Sequence, residues 1–83
     1  MHEWLVEARA RLAGAIGDEV SGYDLDAEDV EQLLDLARVA AHESEDRTNA
    51  PLMAYLVGLA RGRHPDRSLG DLVEGVIGKR SQA

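Results

Sequence analysis

Apolar residues recur along this chain with one period only, that of an α-helix, in four stretches separated by glycine, proline and acidic residues. In each stretch aliphatic side chains return at three- and four-residue intervals, and nowhere do they alternate with the two-residue period of a half-buried strand. The pattern predicts an all-α fold, a compact bundle of four short amphipathic helices in one domain spanning residues 1–83.

The first predicted helix covers about 2–15, with Trp4, Leu5, Ala8, Leu12, Ala15 and Ile16 on one face and Gly14 and Gly17 at its end. Residues 17–25 read as a loop, because two glycines and several polar residues interrupt any period. The second helix covers about 26–44. Asp26 caps its first amides, and Glu28 and Asp29 suit the positive end of its dipole. Val30, Leu33, Leu34, Ala37 and Ala41 form its stripe, widened by Leu36 and Ala40 toward a second neighbour. Residues 43–46 read as a frayed exit.

The third helix covers about 51–63, with Pro51 in its first turn and Thr48 or Asn49 as cap. Leu52, Tyr55, Leu56, Leu59 and Ala60 make its expected buried face, with Met53 and Val57 to one side. Gly58, inside the helix, marks an expected close approach of another backbone, and Pro65 ends the element. The fourth helix covers about 68–79. Ser68 and Asp71 form a capping box, Leu69, Leu72, Val73, Val76 and Ile77 form its stripe, and residues 80–83 are an expected flexible tail.

Composition limits what these helices can bury. The chain has 83 residues, no Phe and one Trp, so its core is assembled from Ala, Leu and Val and its stability margin is thin. Domains of this kind gain stability from a protein partner or from a second copy. With no cysteine there is neither a disulfide nor a thiolate metal site, which suits a reducing cytoplasm. No apolar run reaches the roughly 20 residues needed to cross a bilayer. The N-terminus lacks a basic and then apolar leader, so the expected location is cytoplasmic and away from membranes.

Charge is unevenly spread. The net charge is −7, but residues 18–46 carry eleven acids against one base, whereas residues 47–83 carry three acids against six bases. The acidic middle repels a phosphate backbone, so no nucleic-acid partner is expected. The asymmetry reads either as a solvated acidic face or as a basis for head-to-tail self-contact or a basic partner.

Little in the chain can carry chemistry. His2, His42 and His64 lie in different segments with no i, i+4 pair, so no metal site is expected. No serine stands in a nucleophile elbow, and no glycine-rich phosphate loop follows a strand. Catalytic residues, cofactors and enzymatic activity are therefore not expected. One polar constellation remains. Asp35, Arg38 and His42 follow at i, i+3 and i+7 on the second helix, away from its leucines, and Arg47 comes just after. Together they read either as a site for an anion, nucleotide or other polar ligand, or as ordinary surface neighbours that tie down the next loop. Val6, Val39, Met53 and Val57 fall off the main stripes and are the candidate interface residues.

The run Asp35-Leu36-Ala37-Arg38-Val39-Ala40-Ala41-His42, then Arg47, Ala50-Pro51-Leu52 and Leu56-Val57-Gly58-Leu59-Ala60, resembles a small actinobacterial helical domain of unknown function. Glu3-Trp4-Leu5 fits its opening, and the likeness extends from about Glu3 to Gly62. Its pattern matches at Asp35, Arg38, His42, Arg47 and Pro51. That domain occurs alone and fused to molybdopterin-guanine-dinucleotide biosynthesis proteins of the guanylyltransferase type. The resemblance therefore implies an accessory or interaction role near molybdenum-cofactor metabolism, with no catalytic residues to carry over.

Overall fold

A computed structural model describes residues 2–78. Among them the chain forms four α-helices: α1 (Glu3–Ile16), α2 (Ala27–Ser44), α3 (Asn49–Arg63) and α4 (Leu69–Ile77). A 3-10 helix, Val20–Tyr23, lies in the segment expected to be a plain loop. No strand occurs among the described residues, so the all-α class expected from periodicity holds. The expected tail, 80–83, lies outside the described residues. The fourth helix ends at Ile77 rather than near 79, closed by Gly78, whose N–H donates to the Glu74 carbonyl at 2.9 Å. The chain divides into two compact units, residues 1–30 and 31–83.

In the first unit, α1 begins at His2, whose Nδ1 accepts from the Trp4 N–H at 3.0 Å. It ends in a Schellman turn. Gly17 sits at φ +75°, and the Asp18 N–H donates to the Ala13 carbonyl at 2.9 Å, a conformation that suits a residue without Cβ. Arg9 holds the following segment. Its Nη1 donates to the Val20 carbonyl at 3.2 Å and pairs with the Asp24 carboxylate. The Tyr23 hydroxyl donates to Asp18. That bond comes first among the causes that raise the Tyr23 pKa above 10.0, ahead of desolvation and the charge of Asp18. The expected apolar face of α1 is not its buried face. Ala13 is buried, while Trp4, Leu12 and Ile16 are exposed.

The unit also contains the start of α2, where sequence and structure agree closely. The Asp29 N–H donates to Asp26 Oδ1 at 2.8 Å, and the Asp26 N–H donates to Asp29 Oδ2 at 3.1 Å. This is a capping box with Asp in place of the usual Glu.

The second unit holds the rest of α2 with α3 and α4. Leu36, Val57 and Val73, one from each helix, form its core, with Leu33, Met53, Leu69, Leu72 and Ile77 packed around them. Leu36 is fully buried, and no other large side chain among the described residues is. This arrangement corrects two expectations. On α2 the helix turns inward at Leu36 and Leu33, and Leu34, on the opposite side, is exposed. On α3 the buried side is that of Val57, so Val57 is a core residue and not the off-stripe surface residue the pattern implied, while half-buried Met53 packs against the core from the same side. The physical reason is that α3 is apolar nearly all round, so its periodicity marks no preferred face. By contrast α4 is strongly one-sided, and its stripe faces the core as expected, with Val73 buried and Leu69, Leu72 and Ile77 half-buried, except for Val76, which is exposed. Gly58 is exposed, and a Cβ there would meet nothing within 4 Å, so the expected close helix approach does not occur.

Candidate functional site

The turn between α2 and α3 positions what lies on either side of it. Residues 43–46 are a built cap rather than a frayed exit. Glu45 takes the left-handed conformation at φ +58°, and the Asp46 N–H donates to the Ala41 carbonyl at 3.2 Å. The Glu45 N–H donates to the His42 carbonyl at 3.3 Å, completing the Schellman pattern that satisfies the last carbonyls of α2.

Asp46 then starts α3. Its Oδ1 accepts from the Thr48 N–H at 3.0 Å and from the Thr48 hydroxyl at 2.7 Å, and its carbonyl accepts from the Asn49 N–H at 3.1 Å. Thr48 stands at the N-cap position, one of the two expected, but makes no side-chain cap bond; Asp46 instead holds Thr48 in place from two residues before. The Thr48 hydroxyl first, and its N–H second, hold the Asp46 carboxyl below the usual carboxylate range.

Of the four polar candidates, one pair is joined. Arg38 Nη2 lies 3.3 Å from Asp35 Oδ1, an i, i+3 pair with Arg38 mostly exposed. His42 is exposed on the last turn of α2, and Arg47 is exposed within the turn, where its carbonyl accepts from the Ala50 N–H at 3.1 Å. None of Asp35, Arg38, His42 or Arg47 lines the groove described next. Among the described residues no three His, Cys, Asp or Glu side chains gather as metal ligands would. No helix among them is long and apolar enough to cross a membrane.

The concave feature of this unit is a groove of about 430 Å³ where the end of α2, the first half of α3 and the end of α4 meet. Val39, Leu52, Met53, Leu56, Val76 and Ile77 give it an apolar wall, and Glu43, Ser44 and Asn49 its polar edge. Thus two interface candidates, Val39 and Met53, line it. Val57 is buried beneath, and Val6 is exposed on α1 in the first unit.

Beside the groove runs the feature that sequence reasoning assigned to the core. Leu52, Tyr55, Leu56 and Leu59 share one face of α3 and are 61, 67, 53 and 39% exposed. Their spacing of i, i+3, i+4 and i+7 is a docking spacing as much as a burial spacing. The signal was present in the sequence, since Arg63 continues the same row at the solvent-exposed end.

The model of the family described as a domain of unknown function, DUF6457, matches residues 1–82, and the chain belongs to that family. No curated protein and no solved structure matches the chain.

Proposed function

We propose, taking membership of a family without an assigned function as the premise, that this domain is a protein-interaction module. It docks through the outer face of α3 and the adjoining groove. The observation that carries the reading is the exposed row Leu52, Tyr55, Leu56 and Leu59, continuous with an apolar groove through Leu52 and Leu56. These four side chains are each roughly half in water, so covering them would gain about 1 kcal/mol apiece. A second hollow of about 450 Å³, lined by Trp4, Glu7, Ala10 and Arg11 of α1, has no comparable apolar row beside it, and the reading assigns no catalysis to either.

The resemblance to domains fused to guanylyltransferase-type molybdopterin proteins supplies the partner class, and a cysteine-free chain suits the cytoplasm in which such a partner would work. A small-anion role for Arg38, His42 and Arg47 has less support, because Arg38 is paired with Asp35 and all three lie outside the groove. The test is calorimetric titration against a guanylyltransferase-type molybdopterin protein. Wild-type chain should bind and Leu56→Glu should not, with unchanged circular dichroism. Equal binding by both would remove the α3 face as the docking surface, and no binding by the wild type would remove this partner class.

A further inference from the structure

The exposed row on α3 is flanked by opposite charges. At its N-terminal end stands Glu43, which shares the groove with Leu52 and Leu56. At its C-terminal end stands Arg63, four residues beyond Leu59 on the same helical face. A surface that is apolar along its length, acidic at one end and basic at the other is complementary to itself when one copy is turned end for end. In a parallel pairing the same surface would set Glu43 against Glu43 and Arg63 against Arg63. We propose that α3 pairs antiparallel with α3 of a second copy across a two-fold axis near Leu56, setting Arg63 of each copy against Glu43 of the other. The proposal rests on the interaction reading above and names its occupant.

Turning the helix about Leu56 sets Leu52 and Leu59 against the apolar face of the second helix, with Tyr55 and Leu56 nearest the axis. The four side chains of each copy then cover those of the other, as the a and d rows do in a short antiparallel helix pair. The thin core, in which Leu36 is the one fully buried large side chain among the described residues, leaves a contiguous apolar row outside, and self-pairing removes it from water. Within the second unit, residues 31–46 carry five acids against Arg38, whereas α3 carries Arg61 and Arg63 at its end and no acid, which gives the pairing its direction.

The chain has no cysteine, so introduced ones report orientation without interference. The experiment has two parts. Sedimentation equilibrium from about 1 μM to about 1 mM should show a species of twice the 9.0 kDa chain mass, and Leu56→Glu should abolish it. Arg63→Glu should weaken pairing about five- to tenfold, and adding Glu43→Arg should restore most of the loss. Asn49 and Arg63 lie about 21 Å apart along α3, so they oppose each other across the axis only in the antiparallel arrangement. Under mild oxidation, Asn49→Cys mixed with Arg63→Cys should therefore form the mixed disulfide dimer, while Arg63→Cys alone should not link to itself.

A single 9.0 kDa species at every concentration overturns the pairing. So does efficient self-linking of Arg63→Cys, or a Leu56→Glu variant that still dimerises. A monomeric chain that nonetheless binds the guanylyltransferase-type protein through Leu56 would overturn this pairing alone and leave the interaction module standing.

Discussion

Replacing Glu45 by glycine should stabilise this domain, although its exposed carboxylate forms no ion pair among the described residues. Glu45 holds φ +58°, where a side chain's Cβ crowds the following carbonyl at a cost of about 1–2 kcal/mol. Glycine adopts that region freely, but it also gives the unfolded chain more freedom to lose, which takes back about 0.5–1 kcal/mol. A carboxylate at the negative end of α2 adds about 0.3 kcal/mol of unfavourable dipole interaction, which also disappears.

The net expectation for Glu45→Gly is a gain of about 1 kcal/mol, or a rise in Tm of roughly 4–8 °C for a chain of this length. Glu45→Ala removes the charge and keeps the Cβ, so it separates the two causes and should gain about 0.3 kcal/mol or less. The assay is urea and thermal unfolding followed by circular dichroism, at one fixed protein concentration so that any self-association cancels. If Glu45→Gly is no more stable than Glu45→Ala, the left-handed cap does not govern the end of α2 and the reasoning fails.

Leu36→Ala should cost about 2–5 kcal/mol, because Leu36 is the fully buried centre of the second unit, and hydrogen exchange should show α3 and α4 losing protection together. Gly58→Ala should raise the urea midpoint by an amount worth up to about 1 kcal/mol, since a methyl group there enters open space; a loss instead would mean that another backbone does pack on Gly58. The Asp46 carboxyl should titrate below the ordinary value of about 3.9, and Thr48→Val should move it back up toward that value in a carbon-detected NMR titration. Because the folded pKa is the lower one, Asp46 contributes its stabilisation fully above the unfolded value and loses it as pH falls through the folded value. Thr48→Val should accordingly narrow the difference in stability between neutral and strongly acidic pH.

The beginnings of helices were legible because they are written locally. Asp26 with Asp29, and Ser68 with Asp71, satisfy amides within one turn of themselves, so their chemistry does not depend on what packs nearby. The one-sided stripe of α4 was legible for a similar reason, since four of its five apolar residues had nowhere else to face. The polar stripe was legible as a row, and its Asp35–Arg38 pair formed as helical spacing requires. The grip of Arg9 on the Val20–Asp24 segment was not legible, because nothing in the spacing of an arginine on α1 identifies a carbonyl eleven residues later as its partner.

Period, caps and composition thus determined by themselves that the chain is helical, where most helices start, and that its core would be built from small aliphatic groups. Only tertiary packing decided which side of α2 and α3 lies inside. Both helices carry leucine or valine on opposite faces, and a periodic pattern with two apolar solutions is settled by which side chains fill the space between three helices. Leu36, Val57 and Val73 fill it, and the row from Leu52 to Leu59 is left exposed on the other side of α3.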